Sequence, residues 1–310
     1  MNTAGYRQVC DALRVAPEEF LLMLRALNAW DNARPERLAS IRSEIAQLSE
    51  ACDGLRLAQS LGLVAGASVE NPQTTAMGKQ ICDGVKQYCN WREHSDELPR
   101  GVEPVMVKGR RVLDVGCGVG CAMLTFLRHG ADRVAGIDMI ESSLALCPVL
   151  AHRENVALPW LARSDGGRLP FADASFDMVF SRLALNYMRS DAALSEIARV
   201  SRPGATLVVC LNTLPWHLEQ IRNQLRRFKL KAAAFGLFTL VNGALYHIVG
   251  RQITLRHRGS MHSVHSPIYH TPRTLRRDFS RWGFDTLSDD SAEFADTPTF
   301  HAVRRVDGGS

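Results

Sequence analysis

The chain has 310 residues, 46% hydrophobic and 22% charged, the proportions of an ordinary water-soluble globular protein with length for one large or two modest cores. Eight cysteines without a C-x-x-C pair disfavour both a zinc ribbon and a disulfide framework, and leave buried reduced thiols as the better account. The net charge of +5 is unevenly placed: residues 212–281 hold twelve Lys/Arg against two Asp/Glu, while residues 1–100 are net −2 and 282–310 net −4.

The start, MNTAGYRQVC, lacks the basic stretch and apolar run of a secretory signal, so a cytoplasmic protein is expected. Residues 1–100 read as helices. Pro17-Glu18-Glu19 opens one, with Phe20, Leu21, Leu24 and Leu27 on one face. Pro35 to Glu50 forms a second on the stripe Leu38, Ile41, Ile45 and Leu48, and Leu55 to Val64 a third that Gly62 stops. This piece is expected to be a lid or dimerisation element. A winged-helix ending around Leu61–Val64 and Thr75–Lys79 is the competing form, and its negative charge argues against binding phosphate backbones. Leu98 to Val107, with Pro99, Gly101 and Pro104, is a linker.

Arg110 to Met139 is the organising stretch. Val112, Leu113 and Val115 make a buried strand that runs into Asp114, Gly116, Gly118 and Gly120, a D-x-G-x-G-x-G pattern. Glycines allow a sharp turn and let a ligand lie against bare backbone. A helix follows, stopped by Gly130, and a second strand of Val134 to Ile137 ends in Asp138. That is one βαβ unit closed by an acidic residue, where a dinucleotide fold places its ribose-binding carboxylate. A nicotinamide site prefers a third glycine one place later, and Cys121 stands there. Further strands are expected at about 158–163, 176–181 and 205–211, with helices between them, hence a parallel sheet with right-handed crossovers. Pro203-Gly204 is expected to end the helix before the fifth strand.

Three later segments complete a pattern: Ser164-Asp165-Gly166 leading to Leu169-Pro170-Phe171, then Phe176-Asp177-Met178-Val179, then Glu196 to Val209 with Arg202-Pro203-Gly204 at its centre. Taken with the glycine loop, in this order and spacing, the chain closely resembles the class I S-adenosylmethionine-dependent methyltransferases over about residues 110–212. The resemblance implies an α/β fold with a Rossmann-like, mostly parallel seven-stranded sheet over 101–310, and S-adenosyl-L-methionine as cofactor. It implies cofactor-binding roles for Asp114, Gly116, Cys117, Gly118, Gly120, Asp138, Met139, Asp165, Gly166, Ser181 and Arg182. Asp177 would support loops without touching the methyl group. Relatives often carry histidines where Asn186 and Tyr187 stand, so the usual general-base candidate is missing. A histidine just before the last helix, His265 or His270, matches an arrangement seen in relatives and is the expected catalytic residue, with His94, His217 and His262 as other candidates. No spacing of His or carboxylates suggests a metal.

After the fifth strand the resemblance implies one more helix, opened by Thr271-Pro272 and stopped by Gly283, and two last strands near 284–287 and 299–306. Between them lies an insertion, 213–270, too long for a structureless loop. Its centre, Ala232 to Gly250, has no charged residue and is flanked by Arg226, Arg227, Lys229 and Lys231 on one side and by Arg251, Arg256 and Arg258 on the other. Three readings stand: ordinary buried helices packed on the sheet domain, an apolar acceptor cap or interfacial helix touching anionic lipid through 226–258, and a membrane span. The expected function is methyl transfer to a small lipophilic or anionic organic acceptor, O-methylation favoured. An RNA methyltransferase using the basic segment is the first alternative, set back by the lack of interleaved aromatics. A donor-binding protein without catalysis is the second.

Overall fold

The computed structural model describes residues 3–253 and 267–306, and the chain divides into two compact units. The first comprises residues 1–97, 118–125 and 141–158. It is built on helices α1 (Thr3–Val15), α2 (Glu18–Asn32), α3 (Leu38–Cys52), α4 (Gly54–Ser60) and α5 (Ala76–Arg92), together with the helix Glu141–Arg153. Glu18 and Glu19 fill the first turn of α2, where carboxylates offset the exposed amide dipoles. At α5, Thr75 Oγ1 caps the helix by accepting from Gly78 N at 3.0 Å. Gly78 is required there, because a Cβ would lie 1.9 Å from the Leu63 carbonyl oxygen. The expected stripes close on one core: Phe20, Leu24 and Leu27 of α2 with Ile41 and Ile45 of α3, Ile81 and Val85 of α5, and Leu146, Val149 and Leu150 of Glu141–Arg153. Among the described residues of this unit, strand pairing is a single antiparallel bridge, Val64 with Thr74.

An ionic seam runs along the same unit. Arg153 donates to the carbonyls of Leu13 and Ala16 at 2.9 and 2.8 Å and pairs with Glu18, while Arg92 bridges Glu18 at 2.6 Å and Glu154 at 3.3 Å. The Tyr88 hydroxyl closes the seam onto Glu154.

The second unit, residues 98–117, 126–140 and 159–310, carries the sheet. Along the chain come α6 (Pro104–Val107), β1 (Arg111–Val115), α7 (Cys121–Arg128), β2 (Arg133–Asp138) and the helix Glu141–Arg153, now α8. Then follow β3 (Trp160–Arg163), β4 (Phe176–Arg182), α9 (Ser190–Val200), β5 (Ser201–Cys210), α10 (Leu214–Arg226), α11 (Leu230–Val249), α12 (Pro272–Arg281), β6 (Phe284–Asp289) and β7 (Thr299–Arg304). The seven strands lie in the order β3-β2-β1-β4-β5-β7-β6. β1 to β5 are parallel, and β7 runs antiparallel between β5 and β6. Strands buried on both faces explain the continuous apolar runs that made them legible.

One sequence expectation is corrected. Pro203-Gly204 does not stop α9, which ends at Val200, and β5 begins directly at Ser201. Pro203 and Gly204, with φ +78° at Gly204, fall where the β4–β5 register shifts between Phe176 and Met178. A bulge accepts both a missing amide donor and a left-handed residue. Asp177 accepts from Arg111 N at 3.0 Å and Arg202 Nη1 at 2.9 Å, fastening the amino ends of β1, β4 and β5.

The insertion is an antiparallel helix pair. Gly236 of α11 lets the helices close, since a Cβ there would lie 2.5 Å from Ile221 of α10. α11 is fixed on one face only. Asn242 donates to the carbonyls of Ile253 and Pro267, both at 3.0 Å, and Tyr246 donates to Asp278 Oδ2 at 2.8 Å.

Candidate active site

In a parallel sheet, ligands meet the carboxyl ends of the strands, on the edge where the order reverses. Here that edge lies between β1 and β4, beside β2. Asp114 lies inside β1, in register with Gly136 of β2 and Phe180 of β4, and is buried. Burial, opposed by Arg182 and reinforced by Asp138, pushes its carboxyl up to about 7. Such a group favours a cationic ligand beside it, which would keep it ionised.

Gly116 follows with φ +82°, and a Cβ on it would lie 2.1 Å from the Ala184 Cβ. Its amide and that of Cys117 donate to the Ile137 carbonyl at 2.8 and 2.9 Å, which ties the loop to the end of β2. Gly118 and Gly120 continue in left-handed conformations, and these two residues group with the helical unit. Asp138 ends β2 and caps its own turn, accepting from Ile140 N at 2.8 Å; Met139 between them is half-buried. Past β3, Asp165 is exposed and accepts from Gly167 N at 2.9 Å. Gly166 is buried with φ +77°, and a Cβ there would lie 2.6 Å from Met188 Sδ. The next turn, Leu169 to Asp173, is held by Arg199, which donates to the carbonyls of Leu169 and Phe171 and pairs with Glu196 and Asp173.

Ser181 is buried and its hydroxyl donates to the Val115 carbonyl at 2.9 Å, while Arg182 is exposed and acts on Asp114 through its charge. The segment after β4 holds two features that the sequence does not announce. Leu183 adopts φ +60°, a left-handed conformation costly for a branched side chain, and such strain gathers where function holds it. Asn186 joins three segments: its Nδ2 donates to the carbonyls of Asn212 and Ile268 at 2.8 and 3.1 Å, and its Oδ1 accepts from Asn212 N at 2.9 Å. Gln252 adds a fourth link, accepting from Ser190 N and donating to the Met188 carbonyl. A buried asparagine reads in sequence as an ordinary turn former, and only tertiary placement shows that it crosslinks.

The histidines divide. His265 and His262 lie outside the described residues. His94 is exposed and sits beside Glu97. His270 is fully buried, with Nε2 3.2 Å from Ser190 Oγ, and burial pushes it down to about 3. His217, in the first turns of α10, is also buried and pushed down to about 4, so it is a neutral imidazole at pH 7. Among the described residues no group of His, Cys, Asp or Glu could hold a metal.

The strand order, the antiparallel β7 and the glycine loop after β1 together make the Rossmann-like architecture of the class I methyltransferases. Residues 113–209 match the methyltransferase domain family. A malonyl-[acyl-carrier protein] O-methyltransferase of Halorhodospira halophila is 39% identical over 118 residues, covering 36% of this chain and 38% of that one. A demethylmenaquinone methyltransferase of Parafrankia sp. is 36% identical over 124 residues (34% and 47%), and a fatty-acid O-methyltransferase of Mycolicibacterium smegmatis 36% over 100 residues (32% and 35%). The chain thus spans less than half the length of these relatives.

Proposed function

We propose that this chain transfers the methyl group of S-adenosylmethionine to a small lipophilic organic acceptor, with oxygen favoured as the methylated atom. The observation that carries the reading is Asp114, Gly116 and Asp138 at neighbouring carboxyl ends of β1 and β2: a buried carboxylate, a glycine with no room for a Cβ, and a second carboxylate one strand away. When bound, the donor supplies a methyl group on a sulfonium, already electrophilic, so the protein has to align and to exclude water. In this reading Asp114 takes the donor's ammonium, and Gly116, Cys117, Gly118 and Gly120 present bare backbone to its methionine part. Asp138 accepts from the ribose hydroxyls, Met139 covers the adenine, Asp165 and Gly166 meet its edge, and Ser181 and Arg182 line the site through backbone.

A lipophilic acceptor is supported by relatives named for demethylmenaquinone and fatty acid, and by the insertion. The α10–α11 pair exposes Leu225, Leu230, Leu237, Val241 and Ile248, with Phe228 at its tip 88% exposed, amid Arg226, Arg227, Lys229 and Lys231. Apolar side chains ringed by basic ones suit an anionic lipid surface, where an apolar acceptor would reside. α11 is long and apolar enough to cross a bilayer, yet its Asn242 and Tyr246 are buried in hydrogen bonds to the protein, which favours lying on a surface. The test is mass spectrometry of products formed from isotope-labelled donor and a lipid extract. Label in an apolar small molecule supports the reading, and label confined to RNA from a total cell extract contradicts it.

A further inference from the structure

The last residues of the glycine loop, Gly118 to Gly120, group with the helical unit and pack closely against its helices. A Cβ on Gly120 would lie 2.4 Å from Cys147 Sγ of α8. A Cβ on Gly84 of α5 would lie 3.0 Å from Val119 Cγ1 and 2.5 Å from Leu146 Cδ1 of α8. Glycine is a poor helix former, and at this position it lets α5 approach the loop. Asp83 and Gln87 neighbour Gly84 on the helix surface, and both are exposed. Gln87 Nε2 donates to Asp83 Oδ2 at 2.9 Å, which turns the other end of the amide away from Asp83. That end, Oε1, lies 3.6 Å from where a Cβ on Gly118 would stand. Gly118 itself has φ +56° and is half-buried, so the side it leaves open faces a fixed hydrogen-bond acceptor. A Gln–Asp pair four residues apart is ordinary on a helix; its seat beside the glycine loop is not.

We infer that Gln87, oriented by Asp83, is a further donor-binding residue whose Oε1 accepts from the ammonium of the donor's methionine part. This rests on the methyltransferase reading above, in which Gly118 presents bare backbone to that part. An amide oxygen only accepts hydrogen bonds, and in the methionine part the ammonium is the group that donates them. An ammonium carries three N–H groups, so Asp114 and Gln87 can both accept from it. The Asp83 carboxylate behind the amide strengthens Oε1 as an acceptor and favours a cation over the donor's own carboxylate. Helix α5 then separates ligands that carry the amino acid from those that end at the thioether.

The test is calorimetry on the full chain, direct and by displacement, with S-adenosylhomocysteine and with 5′-methylthioadenosine, which lacks the amino acid. In Gln87→Leu the affinity for S-adenosylhomocysteine should fall about tenfold or more, while that for 5′-methylthioadenosine stays within about twofold. Gln87→Glu keeps an acceptor and should hold S-adenosylhomocysteine within about threefold of the wild type. A thermal melt of each ligand-free variant reports that it is folded. Unchanged S-adenosylhomocysteine affinity in Gln87→Leu overturns the assignment, as does an equal loss for both ligands, which would mean a structural role. A loss in Gln87→Glu as large as in Gln87→Leu overturns the ammonium as the group recognised. All three outcomes leave the methyltransferase reading intact, whereas a wild type that binds neither ligand overturns both.

Discussion

At the residue scale, the site is made of groups held away from their ordinary states. Asp114 is the clearest. Burial raises it to about 7, so between about pH 4 and 7 the folded chain holds a proton that the unfolded chain has released. Stability of the ligand-free protein should therefore fall as pH rises through that window, and Asp114→Asn should flatten that part of the curve in denaturant titrations. A cationic donor wants the ionised form, so its affinity should climb with pH up to about 7 and level off above it, as calorimetry across that range would show. Leu183 is strained in the opposite sense, by its backbone. In Leu183→Gly, relief of the left-handed backbone, worth about 1 kcal/mol, is set against the lost contacts of a side chain only 39% exposed and a freer unfolded chain, so the denaturation midpoint should move little. A lower midpoint would mean that the leucine's contacts outweigh its strain. Neither state could be read from the sequence: Asp114 was visible as a strand-end carboxylate, but its desolvation depends on burial in the folded sheet, and the charges of Arg182 and Asp138 reach it only from neighbouring strands.

At the scale of elements, periodicity carried most of the fold. The glycine loop, β1 and β2 stand where the apolar runs put them, and the capping Thr271 and stopping Gly283 bound α12 as expected. Helices α1 and the long α5 were missed as elements, because their buried stripes run through Cys10, Gly78, Cys82, Gly84 and Cys89, which do not read as apolar helix positions until tertiary packing buries them. The ionic seam of the helical unit was equally hidden, since Arg153 finds Leu13, Ala16 and Glu18 only once α8 has packed. Arg153→Met should destabilise that unit by about 2–3 kcal/mol, mostly by leaving the Leu13 and Ala16 carbonyls without their donor, because the Glu18 partner is half-exposed and screened. Thermal unfolding followed by circular dichroism measures it, and a shift under about 0.5 kcal/mol would assign the seam to the surface. The insertion gave up its helices to composition but not its facing. Phe228→Ser, Leu237→Ser and Val241→Ser together should abolish co-sedimentation with anionic vesicles and leave donor binding unchanged, as all three side chains are exposed. Retained vesicle binding that fades with a steep salt dependence would point to charge alone.

For the whole molecule, the proposed function requires the carboxyl edge of the sheet to hold S-adenosylmethionine. The glycine pattern and the acidic residue closing β2 were legible from spacing alone, because the backbone can make that turn in few ways. The crosslink made by Asn186 was not, since Asn212 and Ile268 come from distant segments and reach it only in the fold. Calorimetry of S-adenosylmethionine against the wild type and Asp138→Ala, with NAD as the competing ligand, addresses the claim most directly. Asp138 caps its own turn as well, so a melt of the ligand-free variant must first show it folded. The wild type should bind the donor, Asp138→Ala should lose about 2–4 kcal/mol from the missing ribose hydrogen bonds, and NAD should show no measurable binding. Unchanged donor affinity in a folded Asp138→Ala protein, or NAD bound more tightly than S-adenosylmethionine, would contradict the proposed function.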